Sequence, residues 1–314
     1  MQQKNYTIGV LGTQNPIGQA LLAELDRQNY PADHIYPLDL HQEAGKSFYY
    51  KGQTLTSAAL DLFDLAHPYI LFLCDPRIFD RYPHHLLHGK NWLIDCTGKI
   101  DQAKCIIPDL NVHTSRSLRT KCLCAPQSAA IAMAQALVPL DRQYNLITAE
   151  VMGIMGAWYY NSQAPERLIQ ETRCFFTQNS FQSDSPTLAF NLIPDYFQGI
   201  TSLITHQMKC FSRATIRFKT CFAPSVRGGI FYVRACFQKS PRFSKIADIY
   251  NQVGMCHLVT NNDLISTQDL LAEEKIFIQN LSLRKNELHF WILQDYLQTG
   301  AIQNAVRILT LLMK

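Results

Sequence analysis

Cys122-Leu-Cys-Ala-Pro-Gln-Ser128-Ala-Ala-Ile131 reads as an apolar strand, a turn punctuated by Pro126, and a helix that opens on a small hydroxyl residue. The helix runs on through Met133 to Ala136-Leu-Val-Pro-Leu140. Such a junction aims one side chain and several helix-start N–H groups at a common point, where a nucleophile and an oxyanion hole would sit. It also implies a sheet wrapped by helices, and the segments on either side test that reading.

Upstream, residues 6–11 form an apolar strand. Residues 16–29 follow as an amphipathic helix whose buried stripe is Ile17, Ala20, Leu21, Leu22 and Leu25. Residues 34–38 read as a second strand, and 47–50 and 53–56, split by Lys51-Gly52, as a small hairpin. The runs 69–74, 92–96 and 121–124 are apolar almost without interruption, the pattern of strands buried on both faces of a parallel sheet. This predicts a Rossmann-like domain over residues 1–127. Downstream, strands are predicted at 146–154, 215–222, 230–237, 275–283 and 287–293, with a helix at 164–175. Long strands without alternating helices predict a mostly antiparallel sheet in a second, α+β domain over residues 128–295. The last helix, 301–312 within the segment 296–314, is expected to return to the first domain. The fold class is α/β.

The chain has 314 residues, enough for two domains with sizeable cores. Its 47% hydrophobic and 17% charged residues are those of an ordinary globular protein. The net charge of +4 is dispersed, with no Lys/Arg run, which argues against nucleic acid as a partner. No stretch of about 18 apolar residues offers a membrane span. Ten irregularly spaced cysteines, mostly inside apolar runs, predict reduced core thiols and a cytoplasmic protein. Cys122 with Cys124, and His84 with His88, have metal-like spacing, but neither set reaches the four ligands of a structural site, so no metal is expected.

The helix segment resembles the active-site helix of aspartate-semialdehyde dehydrogenases, roughly Asn-Pro-Asn-Cys-Ser-Thr-Ile-Gln-Met followed by Ala-Leu-x-Pro-Leu. The family's catalytic cysteine falls on Ser128. Gly12-Thr-Gln-Asn-Pro-Ile-Gly18-Gln resembles the family's dinucleotide loop, Gly-Ala-Thr-Gly-Ala-Val-Gly-Gln. Gly12 and Gly18 are kept, whereas the middle glycine is Asn15, a residue that tolerates a left-handed backbone. Pro16 removes an N–H where a phosphate would bind. Leu40-His-Gln-Glu43-Ala-Gly-Lys46 resembles Ser-Glu-Arg-Ser-Ala-Gly-Lys, whose Arg-Ser pair lies near the 2′-phosphate of NADP. Glu43 would repel that phosphate, so the resemblance disfavours NADP and leaves residual NAD(P) binding open.

The chemical positions depart from the family one after another. Ala149-Glu-Val-Met152 resembles Ser-Thr-Tyr-Gln, placing Met152 at the substrate-holding glutamine. Pro224-Ser-Val-Arg227-Gly-Gly229 resembles Pro-Val-Phe-Arg-Gly-His, placing Gly229 at the base histidine. One substrate-binding arginine falls on Phe222 or Ala223, and Lys99 is the nearest cation to the other. The packing blocks persist: Thr187-Leu-Ala-Phe-Asn-Leu-Ile-Pro194 resembles the dimerisation segment, and Phe290-Trp-Ile-Leu-Gln-Asp295 through Gly300 to Val306 resembles the last family block.

What the resemblance implies is therefore a homodimeric, non-catalytic paralogue, closest to Usg-type proteins, which also carry serine for cysteine. A serine without the histidine has no activating base, and an oxygen ester donates its acyl group to phosphate poorly. Cys124 is expected to pack in the core rather than replace the nucleophile. Two other readings stay open: an NAD(P)-dependent oxidoreductase of altered mechanism, and a ligand-sensing subunit pairing with an active family enzyme.

Overall fold

The computed structural model describes residues 7–87, 90–108, 110–112, 118–159, 163–178, 186–259, 265–270 and 273–314. The chain divides into two compact units, one running up to Gln127 and including Ala301–Lys314, the other Ser128–Gly300.

The first unit contains β1 (Thr7–Leu11), α1 (Pro16–Arg27), β2 (Ile35–Asp39), the hairpin β3 (Ser47–Tyr50) and β4 (Gln53–Thr56), and β5 (Ala58–Ala59). It continues with β6 (Tyr69–Leu73), α2 (Pro76–Arg81), α3 (Pro83–Leu87), β7 (Trp92–Asp95), β8 (Lys104–Cys105) and β9 (Cys122–Cys124). Seven strands form a wholly parallel sheet in the order β5-β2-β1-β6-β7-β9-β8. Every residue of β6 is buried, as an apolar run sandwiched by helices requires. The order reverses between β2 and β6 around β1, which opens a crevice beyond the carboxyl ends of these strands, the usual ligand edge of such sheets.

The second unit opens on α4 (Ser128–Tyr144) and β10 (Leu146–Met155). It adds α5 (Ala164–Thr177), β11 (Ile193–Pro194), α6 (Gln198–Met208), β12 (Thr215–Phe222), β13 (Gly229–Phe237), α7 (Phe243–Val253) and β14 (Cys256–Leu258). β15 (Ile276–Arg284), β16 (Glu287–Gln294) and the one-turn α8 (Tyr296–Thr299) complete it. The strand order is β11-β12-β10-β13-β16-β15-β14.

Four pairings between the described strands are antiparallel, as the sequence suggests, and two parallel pairings make the sheet mixed. β10 pairs with β12 in parallel, and so does β14 with β15. The reason is the connection: between β10 and β12 the chain builds α5 and α6, and a crossover of that length returns a strand in the same direction. α6 escapes a reading by propensity because Gly199 and four β-branched residues dilute its helical signal. α7 does carry a stop signal, Gly254 in the left-handed region at φ 73° after its last turn.

The last helix, α9 (Ala301–Met313), joins the core of the first unit. Its Val306, Ile308 and Leu309 pack with Leu21 and Leu25 of α1 and with Ile8, Val10 and Phe72 of the sheet. Asn304 donates its amide N–H to the Ile106 carbonyl at 2.7 Å, fixing the helix's register on the sheet. Leu309→Ala should cost about 2–5 kcal/mol of stability, because the fully buried site would become a cavity; urea denaturation measures it.

Candidate functional site

In the second unit the positions singled out by the sequence are organised by one buried carboxylate. Asp295, 1% exposed, caps α8 by accepting from the Leu297 N–H at 3.0 Å. It also takes Arg227 in a two-pronged ion pair, with Nε donating to Oδ1 at 2.9 Å and a terminal nitrogen donating to Oδ2. The family-type arginine in Arg227-Gly-Gly229 is thus committed to structure. α8 then delivers Gly300 against Ser128, the first residue of α4. A Cβ at Gly300 would lie 2.4 Å from Ser128 Oγ and 1.8 Å from the Tyr296 carbonyl oxygen, so no larger residue fits.

Gly229, at the position that the resemblance assigns to the family's base, starts β13 opposite Gln294 of β16. A Cβ there would lie 2.9 Å from Cε2 and 3.2 Å from the hydroxyl oxygen of Tyr159. The volume next to position 229 is therefore filled by a phenol. Local geometry explains how Tyr159 arrives. β10 ends at Met155, and Gly156 lets the backbone approach Ser225 so closely that a Cβ would sit 2.6 Å from its Oγ. Ala157 N–H then donates to the Ser225 carbonyl at 2.9 Å, and a single helical turn, 157–159, swings the ring inward.

Once there, the Tyr159 hydroxyl donates to Gln294 Oε1 at 3.1 Å, and the Gln294 amide donates onward to the Thr299 carbonyl at 3.2 Å. The rings of Tyr159 and Tyr296 meet at a tilt of 53°, 4.9 Å between centroids. Burial, reinforced by the Asp295 charge, pushes the Tyr159 phenol well above its usual pKa. Burial does the same to Tyr296, with Tyr159 and Asp295 adding to it. The Tyr296 hydroxyl oxygen is buried with no hydrogen-bond partner among the described residues. Both phenols stay protonated at neutral pH, so neither accepts a proton as a histidine would.

The other expected positions lie apart from this cluster. Met152 is 44% exposed on β10, opposite Lys219 and Tyr232 in the neighbouring strands. Phe222 is fully buried and packs on the rings of Tyr196 and Phe197 at 5.6 and 6.4 Å, so it binds no anion. Lys99, in the first unit, forms a surface ion pair with Asp80 at 2.8 Å. Cys124 is buried in the core of the first unit. His88 lies outside the described residues. No group of three or more metal-ligating side chains is found among those described, and no helix among them is long and apolar enough to cross a membrane.

The dinucleotide-like loop is the first unit's candidate site. Gly12 sits at φ 94°, and a Cβ there would strike Asp75, 2.4 Å from its Cβ. Gly18 packs on Gly12, where a Cβ would lie 2.3 Å from the carbonyl oxygen. Both glycines are thus demanded by strand–helix packing alone. Asn15 is not left-handed: at φ −73°, ψ 143° it caps α1, accepting from the Ile17 N–H at 3.0 Å, with Pro16 in the first turn. Glu43 pairs with Arg77 at 2.9 Å, and Arg77 also grips Asp75. Since Arg77 meets its charge, Glu43 is weaker ground for rejecting NADP than the bare sequence suggests. Sequence reasoning passed over Asp39, the acid closing β2; its signal was an acidic residue about 20 positions beyond the glycine loop. It also passed over Tyr159 and Gln294, which carry no motif.

These two units together define a class: a parallel-sheet α/β unit joined to a mixed-sheet α+β unit. No family model matches the chain. Its relatives are nonetheless consistent. Aspartate-semialdehyde dehydrogenase of Rickettsia typhi is 25% identical over 97% of each chain. A USG-1 protein homolog of Azotobacter vinelandii is 26% identical over 42% of this chain and 41% of that one. The crystal structure of aspartate semialdehyde dehydrogenase II complexed with ASA from Vibrio cholerae superposes with a TM-score of 0.88, at 17% identity, over 99% of this chain and 98% of that one. The chain has the aspartate-semialdehyde dehydrogenase fold and resembles that family over its whole length, with a USG-1-like relative among its matches.

Arg227→Ala would leave Asp295 buried and unpaired, and should cost about 3 kcal/mol in chemical denaturation. Burial, with Asp95 nearby, raises the Cys122 thiol to about 11. At pH 8 only about one thiolate in a thousand is then present, so Cys122 should alkylate far more slowly than the exposed Cys210; peptide mapping after brief iodoacetamide treatment reads the ratio.

Proposed function

We propose that this chain is a non-catalytic member of the aspartate-semialdehyde dehydrogenase lineage, acting as a homodimer through the sheet of its second unit. The observation that carries the reading is Tyr159. The base position is not merely empty of a histidine; the adjoining volume is held by a hydrogen-bonded, protonated phenol. Family chemistry needs a thiolate to attack the aldehyde and a base to move its proton. Ser128 supplies neither a thiol nor, from position 229, a partner to activate it. Losing a general base typically costs about 10²–10⁴ in rate, and loss of the nucleophile adds to that.

The dimer reading rests on two features. One is the segment Leu188-Ala-Phe-Asn191, whose backbone N–H groups at 188 and 189 are held by the buried carboxylate of Glu171 at 2.5 and 2.9 Å. The other is the outward face of β10, where Met152 lies exposed beside Glu150 and its partners Arg217 and Arg234.

Purified protein offered aspartate semialdehyde, phosphate and NADP or NAD should form no NAD(P)H, and neither should Ser128→Cys or Gly229→His alone. Phosphate-dependent NAD(P)H formation by the unaltered chain would overturn the reading in favour of a working oxidoreductase. Mixing with an active family enzyme separates a scaffold from a sensing subunit: a change in that enzyme's rate supports the latter. Sedimentation equilibrium should give two copies per particle, and Met152→Asp should shift it toward one.

A further inference from the structure

The relatives' class implies a dinucleotide, and the loop that would cradle it can be tested directly against the residues present. At the helix start the Ile17 N–H is taken by the Asn15 cap, and the turn before it donates inward. Thr13 N–H donates to Asp39 Oδ1 at 2.6 Å, Gln14 N–H reaches the same oxygen at 3.4 Å, and the Thr13 hydroxyl donates to Oδ2. Asp39 and Thr13 are both fully buried. A carboxylate therefore sits inside the turn as an internal anion, on successive N–H groups just ahead of the Asn15 cap of α1.

The rest of that edge follows the same pattern. Asp75, just beyond β6, is held by Arg77. Asp95, at the end of β7, accepts from the N–H groups of Thr97, Gly98 and Ile100 and from the Thr97 hydroxyl. Three strands of the parallel sheet, β2, β6 and β7, thus end at or just before self-satisfied carboxylates, and Arg77 is shared between Asp75 and Glu43. A phosphate entering the loop would meet the Asp39 carboxylate. It would also have to evict Asp39 from its donors and leave that carboxylate buried and unpaired.

We propose that Asp39 is an intramolecular stand-in for the phosphate, closing the glycine loop of this chain to NAD, NADP and other pyrophosphate-bearing ligands. This inference stands apart from the fate of catalysis, because a pseudoenzyme with an open loop would still bind a dinucleotide.

The test is titration of the full chain and of Asp39→Asn with NADH, followed by cofactor fluorescence, and with NADP, followed by calorimetry. Asparagine keeps an acceptor for the Thr13 N–H and removes the charge. The unaltered chain should show no saturable binding at millimolar dinucleotide, and Asp39→Asn should gain affinity by about tenfold or more. Tight binding by the unaltered chain that weakens in Asp39→Asn would overturn the proposal and make Asp39 a ligand acceptor. A folded Asp39→Asn that still binds nothing would also overturn it. If that variant fails to fold, amide exchange in the unaltered chain decides. The Thr13 N–H should be strongly protected and unchanged by millimolar NADH; fast exchange, or protection appearing only with NADH, defeats the proposal.

Discussion

The ion pair between Arg227 and Asp295 is the constraint on which the second unit's candidate site depends. A carboxylate 1% exposed must be met by donors, and here the guanidinium and the first turn of α8 both meet it. That fixes where β16 ends and where α8 begins. It thereby fixes Gln294 under Tyr159 and Gly300 against Ser128. Removing either partner strands a buried charge, so each position constrains the other.

The same physical rule organises the first unit. Chains that bind phosphates at a strand–helix turn leave backbone N–H groups unmet until the ligand arrives. In this chain, protein carboxylates meet them in advance. Asp39 is matched to Thr13 and Gln14, and Asp95 to the turn that follows it. A loop satisfied from within is more rigid and needs no ligand for stability, whereas an open one trades some stability for binding.

The sequence made the parallel sheet legible because its strands are continuous apolar runs and its first helix has a clean stripe. The second unit was harder to read. Its helix α6 is rich in β-branched residues, and the parallel pairing of β10 with β12 depends on a long crossover with no local signature. Positions aligned to a motif, such as Gly229 and Ser128, could be located in the chain but not interpreted. What fills the space beside Gly229 is a tyrosine 70 residues earlier, brought there by a glycine-permitted approach at Gly156. Asn15 shows a role that its alignment to a glycine did not reveal. Its chemistry tolerates a left-handed backbone, yet capping α1 gives the residue an ordinary extended one.

Replacing a histidine by glycine in a packed site would ordinarily leave a void, and a void of side-chain size is costly. No such void borders Gly229, because the Tyr159 ring lies within contact of where its Cβ would be and its hydroxyl is satisfied by Gln294. Restoring the histidine alone would therefore set two side chains competing for one volume. The tyrosine would have to give up both its ring contact with Tyr296 and its hydrogen bond. A single lost residue can be regained by one substitution. A lost residue whose space has been refilled requires at least two, with the intermediate carrying a packing penalty. On the non-catalytic reading proposed above, Tyr159, rather than the histidine position itself, is what would have to change first.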